Sequence, residues 1–171
     1  LNGVLRVVRT TQDGDQVIVL HIAPGEMFGI AKAFESENYT MTARAASQGL
    51  ALSWPSALWD KFIHDYPGFQ SATRKAIGAR MSELQDKLVS MATKQVEQRI
   101  AHAILRLVQQ TGKKTQQGFE IGFPLTRQDI SEMTGTTLHS VSRCMSNWQR
   151  RGIVKSERRR VVVCDPEALP V

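Results

Sequence analysis

His139, Ser142 and Arg143 stand at offsets of 0, 3 and 4, and Ser146 and Arg150 continue the same stripe. This is the spacing of one helix face. Every side chain on it can donate or accept hydrogen bonds, and an arginine can donate two in parallel to adjacent acceptors. Leu138, Val141, Met145 and Trp148 recur at offsets of 0, 3, 7 and 10, so an apolar face is expected to point inward. A helix is predicted from about Thr137 to Arg151, with Gly152 ending it as the residue beyond the cap. Such a surface suits reading hydrogen-bonding edges better than breaking bonds. The sequence has no Gly-x-Ser-x-Gly elbow, phosphate-binding glycine loop or His-Glu-x-x-His run, which makes an enzyme the least supported class.

The elements that must position this face can be read around it. Thr126-Arg127-Gln128-Asp129 has the form of a capping box at the start of a shorter helix, whose inner face is Ile130 and Met133. Gly135 supplies a tight turn between the two helices. After Gly152, Ile153–Ser156 and Val161–Val163 read as strands around Glu157-Arg158-Arg159-Arg160, a hairpin with a basic tip. Helix, glycine turn, helix and basic wing, in that order, predict a winged helix-turn-helix that binds double-stranded DNA. His139, Ser142 and Arg143 are the expected base readers, with Arg143 bidentate to a guanine edge in the major groove. Thr126, Arg127, Gln128, Thr137, Ser140, Arg158 and Arg159 are the expected phosphate contacts. Singly, these residues would pass for a solvated helix face. Arriving together and in order, they would not.

Charge supports the division. Residues 1–93 carry 9 basic and 9 acidic side chains, whereas residues 94–171 carry 13 and 7, so the whole net charge of +6 lies in the second half. A polyanion is the partner this asymmetry favours. The first 53 residues read as short strands: Gly3–Arg9 and Gln16–Ile22 around Asp13-Gly14, then Met41–Ser47 and Gly49–Ser53, the rhythm of an antiparallel barrel. Pro55 is placed in the first turn of a short helix running to about His64. A long helix is predicted from about Ser71, on which Ile77, Met81, Leu84, Leu88 and Met91 are spaced 4, 3, 4 and 3 apart. So narrow a seam suits one partner helix, here a second copy of the chain, although packing on its own barrel is the alternative. Gly112–Gly118 reads as a loop and Phe119–Phe123 as a strand. The fold class is therefore α+β: a truncated β jelly-roll sensor over 1–70, a dimerisation helix over 71–94 and a winged helix-turn-helix over 95–171. No run is long and apolar enough to span a bilayer. The two cysteines form no pairing motif, so the cytoplasm is expected.

Leu125–Ile130 and Thr137–Arg143 together resemble the winged helix of the Crp-Fnr superfamily of bacterial transcription regulators, and the order of the three segments matches as well. The resemblance implies a homodimer with recognition helices in successive major grooves, half-sites ~34 Å apart, RNA polymerase as a further partner, and more barrel before the abrupt start at Leu1. The stretch Thr134–Arg143 is most similar to the nitrite/nitric oxide reductase regulators, which implies control by nitrogen oxides. Two positions depart from the family. Phe28-Gly29 is followed by Ile30, and Tyr39-Thr40 stands where the cyclic-nucleotide cassette has Arg-Ser. A buried cyclic phosphate would then lack its charge partner, which argues against cyclic AMP. His139 replaces a glutamate common in relatives, so the usual half-site does not transfer. Haem is left as a candidate sensor group, although His21, His64, His102 and His139 show no ligand spacing. Cys144 and Cys164 do not support an iron-sulfur cluster. A regulator that is constitutive or uses another signal, and a sensor or scaffold whose basic tail contacts RNA or protein, are the other readings.

Overall fold

The computed structural model describes residues 2–36 and 38–170. Strands β1 (Leu5–Thr10) and β2 (Gln16–Ile22) form the expected hairpin, with Gly14 at φ 89° in its turn. Strand β3 (Thr42–Ala45) pairs with the other edge of β1, giving the order β2-β1-β3. The strand expected over 49–53 is absent among the described residues. Only an isolated bridge joins Asn2 and Leu50. Gly49 packs so closely on Asn2 and Gly3 that a Cβ there would come within 2.5 Å of the Asn2 carbonyl oxygen. Beyond that crossing Leu50 and Leu52 lie exposed.

A single 3-10 turn (Ser56–Leu58) leads into α1 (Trp59–Asp65), so Pro55 precedes the helical turns. The long helix α2 (Pro67–Thr93) starts four residues before the predicted Ser71, because Pro67 occupies the first turn, where its missing N–H costs nothing. Trp54, Trp59 and Phe62 pack their rings around Phe69 at centroid separations of 5.2–6.1 Å and fasten α1 to α2. The chain breaks at Lys94, and α3 (Val96–Thr111) begins with a capping box between Gln95 and Gln98.

The segment read as a loop over 112–118 is instead half of a hairpin. Strand β4 (Lys113–Thr115) pairs with β5 (Gly118–Glu120), which stops three residues short of Phe123. Its polar sequence carries no strand signal. The pairing is stabilised by β5, whose other edge joins β7. Helices α4 (Arg127–Thr134) and α5 (Leu138–Arg150) and strands β6 (Val154–Glu157) and β7 (Arg160–Val163) complete the fold, with sheet order β4-β5-β7-β6.

Ile100, Ile104 and Leu107 of α3, Ile130 of α4, Val141, Met145 and Trp148 of α5, and Val161 and Val163 of the wing are all fully buried. Each contributes about 1.5–3 kcal/mol by leaving water. The same core takes in Val4, Val8 and Ile18 from the N-terminal sheet. Arg6 on β1 pairs with Asp129 at the start of α4, and the buried His21 ring lies 5.0 Å from Phe123. Burial, with Arg106 nearby, holds His21 neutral by pulling its pKa down to about 4.

Helix α2 is inverted relative to an ordinary surface helix. Its inward side is polar: Arg80 bridges Glu26 (2.8 Å) and Glu83 (3.2 Å), Arg106 lies 3.5 Å from Glu83, and Lys87 donates to the Ile18 carbonyl at 2.9 Å. Met81, Leu84, Leu88 and Met91 are exposed, while Ile77 is half-buried.

Candidate nucleic-acid interface

The reading element begins with α4. The Thr126 hydroxyl accepts from the Asp129 N–H (3.0 Å), and an Asp129 carboxylate oxygen accepts from both the Thr126 N–H (2.8 Å) and its hydroxyl (2.7 Å). The capping box is complete, and it occupies the Thr126 hydroxyl. A backbone contact to phosphate near this helix start would therefore fall to main-chain amides. Gly135 ends α4 at φ 60°, a left-handed conformation that glycine adopts without strain. The turn is pinned by Ser131, whose hydroxyl donates to the Thr136 carbonyl at 2.6 Å. A Cβ on Gly135 would meet the methyl of Met91 at 3.5 Å, so the end of α2 reaches the helix-turn-helix of its own chain.

Thr137 caps α5 by accepting from the Ser140 N–H (3.1 Å), and the two hydroxyls are 3.0 Å apart. The far end closes with Gly152 at φ 73°. Its N–H donates to the Gln149 carbonyl and the Ile153 N–H to the Trp148 carbonyl, the double closure of a Schellman motif. Trp148 also donates from its indole N–H to Glu97 at 2.9 Å, fixing α5 against α3. Arg127 donates to Gln149 (3.4 Å) and Gln149 to the Ser156 carbonyl (3.2 Å), which links α4, α5 and the wing. Gln128 donates to Glu132.

His139 and Arg143 are exposed and Ser142 is half-buried, all on one side of α5. The inward face needs correction. Val141, Met145 and Trp148 are fully buried, but Leu138 is 47% exposed. The first residue of α5 extends past the turn and has no element facing it.

The wing tip is a two-residue turn between paired Glu157 and Arg160. Arg158 and Arg159 sit at φ 46° and φ 70°, where asparagine and glycine are the favoured pair. Holding two arginines there costs about 1 kcal/mol each. Both are exposed. The turn is tethered by the Leu125 N–H, which donates to the Arg159 carbonyl at 2.8 Å. Arg160 pairs with Glu120 at 2.5 Å and depresses the Glu120 pKa.

An open cleft of about 730 Å³ runs between the start of α3 and α5, lined by Lys94, Arg99, Arg143 and Arg150. Its single lining acid, Glu97, is engaged by Trp148. Lys94, Arg99 and Arg150 were invisible as a group in the sequence. Charge counting registers them, but only the packing of α3 on α5 brings them beside Arg143.

Residues 98–170 match the Crp-like helix-turn-helix domain, and residues 1–66 match the cyclic nucleotide-binding domain. The chain belongs to the Crp-Fnr family. Crp-Fnr proteins are transcription regulators and not enzymes, and the helix-turn-helix is the DNA-binding part. Among its relatives, the transcriptional regulator LdrP of Thermus thermophilus is 25% identical over 169 residues, covering 98% of this chain and 82% of the relative. A CRP-like cAMP-activated global transcriptional regulator of Mycobacterium tuberculosis is 22% identical, covering 99% and 75%. The crystal structure of TTHB099, a CRP-family regulator from Thermus thermophilus, superposes with a TM-score of 0.76 at 26% identity over 98% of this chain and 82% of that one.

In this Crp-Fnr regulator, the Tyr39 hydroxyl donates to the Gly29 carbonyl at 3.1 Å. A phenol, with no positive charge, therefore stands beside the loop where the cassette has its arginine. The four histidines are dispersed: His21 is in the core, His64 is exposed beside Asp65, His102 abuts Lys94, and His139 is on the reading helix. No helix among the described residues is long and apolar enough to cross a membrane.

Proposed function

We propose that this Crp-Fnr regulator works in the cytoplasm as a homodimer. Its two α5 helices enter successive major grooves of a near-palindromic DNA site, its activity is set by a nitrogen oxide and not by cyclic AMP, and it acts on RNA polymerase. The observation that carries the dimer is the outward ridge of α2. Met81, Leu84, Leu88 and Met91 face solvent while the same helix spends charged residues on its inner side. A ridge of this width is covered by one helix, and an antiparallel or parallel copy of α2 supplies it.

Within each protomer, His139, Ser142 and Arg143 read base edges. Thr137, Ser140, Arg127, Gln128 and the start of α4 at Thr126 hold one stretch of backbone, and Arg158 and Arg159 hold another. Two features support the signal. The stretch Thr134–Arg143 resembles the nitrogen-oxide branch, and Tyr39 in place of an arginine leaves a cyclic phosphate without its counter-charge. Haem is the candidate group to receive a diatomic nitrogen oxide.

The test is an absorption spectrum of the protein purified anaerobically, before and after nitric oxide, with gel shifts on duplex DNA in rising salt. A haem band that shifts with nitric oxide and changes DNA affinity is expected. Tightening of DNA binding by cyclic AMP, with no response to nitric oxide, would overturn the signal assignment. Loss of any preference over random DNA would overturn the DNA reading.

A further inference from the structure

The inner-face pattern of α5 assigns Leu138 to the core, yet the structure leaves it 47% exposed while Val141, Met145 and Trp148 are 0% exposed. At about 100° per residue, Leu138 lies about 40° from Ser142 and about 60° from Val141, at the border of the two faces. It belongs to the turn that enters a groove first. The polar chemistry of that turn is already committed: Thr137 accepts from the Ser140 N–H, and the two hydroxyls bond each other. Leu138 thus projects beside His139 and Ser142 as an apolar side chain among hydrogen-bonding ones.

The major groove offers one feature that rewards such a group, the C5-methyl of thymine. Every other edge there is a donor or acceptor, and covering one with a leucine strips its water without replacing the bond. We propose that Leu138 is a specificity-determining residue that packs on a thymine methyl in each half-site. It selects for thymine by contact and against a G·C pair by the unpaired polar edges it would bury. Leu138 and Arg143 are five residues apart, about 7.5 Å along the helix. The thymine therefore lies within about two base-pair steps of the guanine read by Arg143. This inference rests on the DNA-reading role proposed above for the exposed face of α5.

The test removes only the methyl group. Duplexes are selected from a random pool by the full chain, and each dT of the selected site is replaced in turn by dU. Wild-type binding should weaken about fourfold at one dT per half-site, the worth of burying one methyl. With Leu138→Ala that position should no longer distinguish dT from dU. Alanine favours an exposed helix position, so the variant keeps its fold. Leu138→Met, which restores apolar reach, should recover the discrimination. Two outcomes would overturn the proposal while leaving the DNA-reading role intact: a dU penalty that persists undiminished in Leu138→Ala, or a selected site with no dU-sensitive position. Failure of the wild type to enrich any duplex would remove both.

Discussion

Replacing Arg158-Arg159 by Asn-Gly separates what the wing tip costs from what it does. Both arginines hold left-handed backbone, at φ 46° and φ 70°, a strain of about 1 kcal/mol each. Asn-Gly is the favoured pair for such a turn. Part of the gain is returned, because glycine loosens the unfolded chain by about 0.5–1 kcal/mol. The net expectation for R158N/R159G is stabilisation by about 1 kcal/mol, which raises Tm by about 2–4 °C in a chain of this size. The tether from the Leu125 N–H to the residue-159 carbonyl involves only main chain and survives the change. Binding should move the other way. Two lost phosphate contacts lower the slope of log affinity against log salt by about 2 and weaken all duplexes alike. Thermal unfolding by circular dichroism, paired with fluorescence anisotropy across a salt series, measures both. If Tm stays level or falls, the strain argument is wrong. If the salt slope is unchanged, the wing does not touch DNA.

Arg143→Ala should cost about 1–3 kcal/mol of binding and relax preference at a single guanine, because a bidentate contact is lost; a uniform loss across sequences would make Arg143 a backbone contact. Leu84→Glu puts a charge into the exposed ridge of α2 and should yield monomers by sedimentation without loss of helix content, whereas an unchanged dimer refutes the seam. His21 should govern part of the acid sensitivity. Its folded pKa, about 4, lies below the unfolded 6.5, so the unfolded chain takes up the proton first. Stability contributed by the neutral ring is whole above about pH 6.5 and is lost as pH falls toward 4, by about 3 kcal/mol. His21→Phe should flatten urea stability across that window, and an equally steep fall in the variant would place the acid response elsewhere.

The local grammar of the reader was legible in the residues themselves. The Thr126–Asp129 box, the glycines at 135 and 152 and the wing hairpin each satisfy their own backbone groups within a few positions. For the same reason, the 3.6-residue repeat of Val141, Met145 and Trp148 sufficed to orient α5. The sequence also showed a narrow apolar seam on α2, because periodicity is a property of one helix.

Which way that seam faces depends on what packs against the helix from elsewhere, here Glu26, Ile18 and Arg106. Contacts between distant segments decided the rest. Residues Lys113–Thr115 became a strand because β5 offered an edge. Arg6 met Asp129 across 123 positions, and the basic cleft formed where α3 crosses α5. Leu138 shows the limit most clearly. Its spacing is that of a buried residue, but burial needs a facing surface, and only the tertiary structure shows that none faces it at the first turn of α5.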